Sequence, residues 1–232
     1  MVVIPAILII AAGAALQAAT GMGMALFSVP LLVLLDPGLV PGPLLCTTLA
    51  LSAAVAWRGR AAVDRHILAV SVLGFAAGSA AGALLLSLYA GADLSRLFGG
   101  LILFAIGLSL AGLPVRANRP SLLVGGMAAG VLGTMVGVQG PPIALVLQHQ
   151  PPRRLRATLC AFFAVGSLVS LATLAIAGVF GLRQVWLGIA LLPGVPLGPA
   201  VAPLLTRHID RERARWCVLA ISARSALALL LR

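Results

Sequence analysis

The side chains that could do chemistry in this chain are few and scattered. Cys46, Cys160 and Cys217 lie in or beside apolar runs without metal-ligand spacing, so they read as small core residues. No group of His, Asp, Glu or Cys falls within those runs, which removes the acid–base or metal constellation that a membrane-embedded enzyme needs. No catalytic activity, metal or cofactor is therefore expected. What the apolar runs do hold is uncharged hydrogen-bonding groups beside two glycine-broken stretches. Gln17 and Thr20 precede Gly21-Met22-Gly23-Met24, and Thr134 precedes Gly137-Val138-Gln139-Gly140-Pro141-Pro142, which carries Gln139. Glycine lets a ligand approach the backbone closely, and a helix that starts there offers N–H groups to an anion. One charge stands apart: Arg224, about mid-way along the last apolar segment, where a charge is expensive and functional by default, here as an anion ligand or gate. Its other reading is a snorkelling or interhelical arginine.

The elements that position these groups follow from composition. Of 232 residues 61% are hydrophobic and 9% charged, against roughly a quarter charged in a soluble domain. Residues 1–35, 37–57, 66–92, 97–115, 120–152, 157–182 and 184–206 contain no Asp, Glu, Lys or Arg, and about 20 apolar residues span a bilayer as a helix. The first and fifth runs are long enough to cross and turn back. None alternates as a barrel strand would, so an all-α polytopic membrane protein is the reading left. The net charge of +11 does not point to nucleic acid, because the sixteen arginines sit mostly in short connections. There they set orientation and form no continuous phosphate-binding surface. The expected partners are the lipid bilayer and a small anion, with a homodimer open. The first apolar run lacks a basic region and a cleavage site, so it is expected to be retained.

The chain reads as two halves, 1–113 and 120–232, of five helices each. The first half has helices at about 2–19, 23–35, 43–57, 66–89 and 95–112, and the second at about 121–136, 140–149, 156–178, 184–205 and 213–231. Gly74, Gly78 and Gly82 make a smooth packing face, and Pro193, Pro196, Pro199 and Pro203 imply a kink. Aligned, the halves are offset by 116 at the Gly21 break, 110 at Thr48 against Thr158, 120 at Gly74 against Gly194 and 119 at Arg96 against Arg215, a duplication. Successive connections carry zero, three and one arginines in the first half but three, one and four in the second. The patterns are out of phase, so equivalent loops lie on opposite sides, as in an inverted repeat. That parity requires each broken pair to be a hairpin, and it places both termini in the periplasm.

Inversion aims two helix starts, at positions 23 and 140, toward the midplane from opposite faces. Their unpaired N–H groups and partial positive charge would hold a small anion. Gln17, Thr20, Gly21, Gly23, Thr134, Gln139 and Gly140 are the candidate ligands there. Thr47, Thr48 and Thr158 on the following helices are second candidates, although a lone helical Thr also bonds its own backbone. His149 reads as a boundary residue. With no Asp or Glu in any apolar run, a coupled proton would travel on the substrate, on His149 or through water. A carrier or channel for another anion, or a non-transporting membrane subunit, is the alternative.

Gly21-x-Gly23 followed by Val29-Pro30-Leu31-Leu32, then Gly137-x-x-Gly140-Pro141-Pro142 and Arg156-Ala157-Thr158-Leu159, resembles the TauE/SafE sulfite exporter family. The connection Arg58-x-Arg60-x-x-Val63-Asp64 before a Gly-x-x-x-Gly-x-x-x-Gly helix is similar too; Met24 and Gln139 stand where that family often has glycine. The resemblance implies a bacterial inner-membrane carrier of small sulfur-containing anions such as sulfite, sulfoacetate or related organosulfonates.

Overall fold

The computed structural model describes residues 2–20, 23–89, 95–111, 115–198, 200 and 211–230, the side chains of 19, 20, 95 and 211–218 excepted. Helices account for nearly all of them, and none is a strand. In chain order they are α1 Val3–Thr20, α2 Met24–Leu35, α3 Gly42–Arg58, α4 Arg65–Leu88, α5 Ser95–Leu110, α6 Arg119–Val136, α7 Gly140–Leu147, α8 Pro152–Ile176, α9 Leu182–Leu191 and α10 Arg211–Leu230. The proline-rich segment turns at Leu192-Pro193 after α9, and helical turns resume over 194–198. Pro37–Arg58, Arg65–Leu88, Arg119–Val136 and Pro152–Ile176 are long and apolar enough to cross a membrane.

Both broken stretches are hairpins. α2 returns along α1, where Ser28 Oγ donates to the Ile9 carbonyl at 3.4 Å. α7 returns along α6, with Gly125 facing Val146 and the Pro142 carbonyl. At 12 and 8 residues the return limbs measure about 18 and 12 Å, well short of a ~30 Å hydrocarbon core.

Close approach of backbones explains the glycine stripes. Gly74 and Gly78 of α4 meet the carbonyls of Leu123 and Met127, while Gly126 and Gly130 of α6 meet those of Ser71 and Phe75. A Cβ at any of the four would fall 2.0–2.3 Å from an oxygen. The paired numbers rise together, so α4 and α6 run parallel. Gly194 and Gly198, beyond α9, pack in the same way on Ile7 and Ala14 of α1. Contacts between the halves come in reciprocal pairs: α4 on α6 and α9 on α1, α4 on α8 and α9 on α3, α5 on α7 and α10 on α2. The fourth helix of each half thus seats the hairpin of the other.

One polar fastening joins two connections. Asp64 caps α4 by accepting from His66 N and Ile67 N at 3.0 and 3.1 Å, pairs with Arg154, and its own N–H donates to Thr158 Oγ1 at 3.0 Å. Arg153, Arg154 and Arg156, expected ahead of the eighth helix, occupy its first turns. Arginine is unfavourable at a helix N-terminus, and Asp64 offsets part of that. Burial pushes the Asp64 carboxyl up, but the Ile67 N–H, the Arg154 guanidinium and the His66 N–H outweigh it and hold the group below its ordinary value.

Candidate functional site

The two hairpin bends use different local chemistry. α6 ends at Gly137, left-handed at φ 79°, with Gly137 N–H bonded to Gly133 O at 2.9 Å and Val138 N–H to Leu132 O at 3.3 Å. The first is the 5→1 bond of an αL cap, which favours glycine at that residue. α2 begins behind Gly23, at φ 118°, a backbone that side chains other than hydrogen resist.

Neither return limb has a side-chain cap. In α2 the first N–H with a helical acceptor is that of Phe27, which reaches Gly23 O at 3.0 Å, so those of Met24, Ala25 and Leu26 have none within the helix. In α7 the first three residues are Gly140, Pro141 and Pro142, and only Gly140 has an N–H to offer.

These two helix starts meet at one cavity of about 20 Å³. Hairpin one lines it with Gln17, Gly23, Ala25 and Leu26, hairpin two with Gly137, Val138, Gln139, Gly140 and Pro141, and the flanking helices with Thr48 and Phe163. Gln139 packs against Gly166, near the middle of α8's 25 residues. Each glutamine is tied to a serine: Gln17 Nε2 donates to Ser52 Oγ and Gln139 Nε2 to Ser167 Oγ, both at 2.9 Å. Ser52 and Ser167 are 115 residues apart, as are Thr48 and Phe163, so α3 and α8 present corresponding positions to the site. Thr48 is 4% exposed, and its hydroxyl has no partner, nor has Gln139 Oε1. An unpaired buried polar group costs about 1–3 kcal/mol. Both residues line the cavity.

The model of the sulfite exporter TauE/SafE family matches residues 6–229. The chain belongs to this family. No curated protein and no solved structure matches it. TauE/SafE proteins are membrane transporters of the sulfite-exporter type, and the long apolar helices fit a multi-pass membrane protein.

In this TauE/SafE chain the cavity brings together Gln17, Gly23, Thr48, Gln139 and Gly140 of the residues singled out from sequence. Gly21 and the Thr20 side chain lie outside the described residues. Thr134 faces away from the cavity, bonded to Ser79 and Ser170 at 2.7 and 2.8 Å, and Thr47 Oγ1 donates to the Leu44 carbonyl. Thr158 sits at the Asp64 fastening. Arg224 is exposed, six residues from the end of α10, about 9 Å, within snorkelling reach of an interface. Sequence reasoning missed Ser52, Ser167 and Phe163. The signal that finds them is the common 115-residue separation. Among the described residues no three His, Cys, Asp or Glu form a metal-binding group.

Proposed function

We propose that this protein exports a small sulfur-containing anion, sulfite or an organosulfonate, by alternating access, binding it between the N-termini of α2 and α7. The observation that carries the reading is the single cavity shared by both hairpin breaks. There the first N–H groups of α2, which have no helical acceptor, the Gly140 N–H and the unpaired Thr48 hydroxyl are all donors, as an oxyanion requires. Its position half-way along α8 fits a midplane site. The reciprocal contacts between halves and the two return limbs support an inverted duplication. Asp64–Arg154 gathers the arginine-rich turns at one end, and the positive-inside bias puts that end in the cytoplasm of a bacterial inner membrane. The start of α1 and the end of α10 then face the periplasm.

The cavity has room for about one water, so a four-heavy-atom anion enters only when the hairpins part, which is the conformational step of the cycle. Export needs no protein-borne proton. Expelling one negative charge is favoured by about 2.3 kcal/mol at 100 mV, inside negative. Liposomes containing the protein and loaded with sulfite or methanesulfonate should release the anion faster than protein-free liposomes. Gly140→Leu, which fills the cavity, should abolish the difference. Gly140→Ala should retain it, since its Cβ would meet Phe163 at an ordinary 3.7 Å. Equal release with and without protein for both anions would end the exporter reading.

A further inference from the structure

Resting on that reading, we propose that the site selects by charge number: it takes singly charged anions, hydrogensulfite and monosulfonates, and rejects sulfite dianion and sulfate. Among the described residues no Arg, His, Asp or Glu lines the cavity. The positive potential there comes from two helix N-termini, each worth at most about half an elementary charge, which together offset no more than about one negative charge. A second charge would be buried without a counter-charge, at a cost of several kcal/mol.

The wall groups agree with that count. Thr48 Oγ1 is one unpartnered donor, enough to complete the shell of a single sulfonate or hydrogensulfite oxygen. Gln139 Nε2 gives one of its two N–H groups to Ser167, and Gln139 Oε1 is an acceptor with no donor beside it. That oxygen disfavours extra negative charge beside it. No titratable wall group competes. Cys46 of α3 packs on Gly188, Cys160 is buried on α8 away from the cavity, and Arg224 is exposed. The pH response of transport therefore belongs to the substrate.

The experiment compares methanesulfonate, sulfite and sulfate fluxes in liposomes containing the full-length protein, with equal pH on both sides, stepped from roughly 6 to 9, and protein-free rates subtracted. Methanesulfonate keeps one charge throughout, and its flux should stay within about twofold. Sulfite flux should fall about tenfold per pH unit above its second ionisation, following the hydrogensulfite fraction. Sulfate should not cross at any pH. Methanesulfonate serves as the internal control for any pH effect on the protein itself. If sulfite flux is flat in pH, or sulfate crosses as fast as methanesulfonate, charge selection is wrong and the exporter reading survives. If none of the three crosses, both fail.

Discussion

The two hairpins meet at one cavity but are held in place by different means. Hairpin two is bound into its surroundings through α6. Thr134 belongs to a run of hydroxyls, Ser170–Thr134–Ser79–Thr173, with separations of 2.8, 2.7 and 2.8 Å, and Thr173 Oγ1 donates to the Ser170 carbonyl at 3.0 Å. Each hydroxyl has one proton, so the last bond sets all the others: Ser79 donates to Thr173, Thr134 to Ser79, and Ser170 to Thr134. A chain pointing one way strengthens itself, and this one ties α6 to α4 and α8. Among the described residues hairpin one has separate bonds instead: Gln17 to Ser52, Ser28 to the Ile9 carbonyl, and Ser222 Oγ to the Leu26 carbonyl at 2.6 Å. At the cavity the roles reverse. Hairpin one brings Gly23, Ala25 and Leu26, at a helix start whose first N–H groups have no helical acceptor, and hairpin two brings the Gly140 N–H ahead of two prolines that fix its shape. The proposed transport cycle is sharpened by this contrast: it would have hairpin one, held by separate bonds, move against hairpin two, held by a continuous chain.

The largest effect should come from crowding the seats of the hairpins. A Cβ on Gly130 of α6 would fall 2.3 Å from the Phe75 carbonyl and 2.8 Å from Ser79 N, backbone that cannot give way. On Gly13 of α1 it would meet Ser28 Oγ at 2.3 Å, a hydroxyl that can turn. Alanine recovers about 1 kcal/mol of helix propensity at either place, against about 1–3 kcal/mol or more for overpacking. Gly130→Ala should therefore lose about 2 kcal/mol, and Gly13→Ala should stay within about 1 kcal/mol of the parent, in thermal or denaturant unfolding in detergent. Equal losses would remove the contrast between backbone and side-chain seating.

A pair of threonine substitutions separates anchoring from binding. Thr134→Val leaves the Ser170 hydroxyl proton without its acceptor, and Ser79 with Thr173 alone, and should cost about 1–3 kcal/mol. Thr48→Val removes a hydroxyl that has no partner, so stability should hold or rise slightly. Anion effects should run the other way. Methanesulfonate should raise the melting temperature of Thr134→Val by as much as that of the parent, and that of Thr48→Val by clearly less. A full shift in Thr48→Val would mean that this hydroxyl does not touch the anion.

Which threonine does which job is what sequence could not reveal. The hairpins were legible because glycine and proline carry backbone conformation directly: Gly23 and Gly137 have positive φ, and Gly74 and Gly78 admit a neighbouring backbone. A threonine's role depends on how its helix is rotated, and packing decides that. Thr48, Thr134 and Thr158 looked alike in the chain, yet one lines the cavity, one joins a hydroxyl chain and one receives the Asp64 N–H. The 110-residue pairing of Thr48 with Thr158 also pointed away from Phe163, which is 115 residues from Thr48 and shares the cavity wall with it.

The smallest effect concerns the exit of hairpin two, where Asp64 and Arg154 fasten the start of α8 to the start of α4. Asp64→Asn retains an oxygen to cap α4 and removes only the charge. An ion pair whose arginine side chain is about half exposed is worth ~1 kcal/mol or less. Asp64 has its folded-state value lowered, so its contribution is present above the unfolded carboxyl range, near pH 4, and is lost as pH falls through the folded value. Unfolding at neutral pH should then show the parent slightly more stable than Asp64→Asn, with the gap closing once the carboxyl is protonated. A gap that widened on acidification would mean that the carboxyl is held above its ordinary value and that the fastening is not an ion pair.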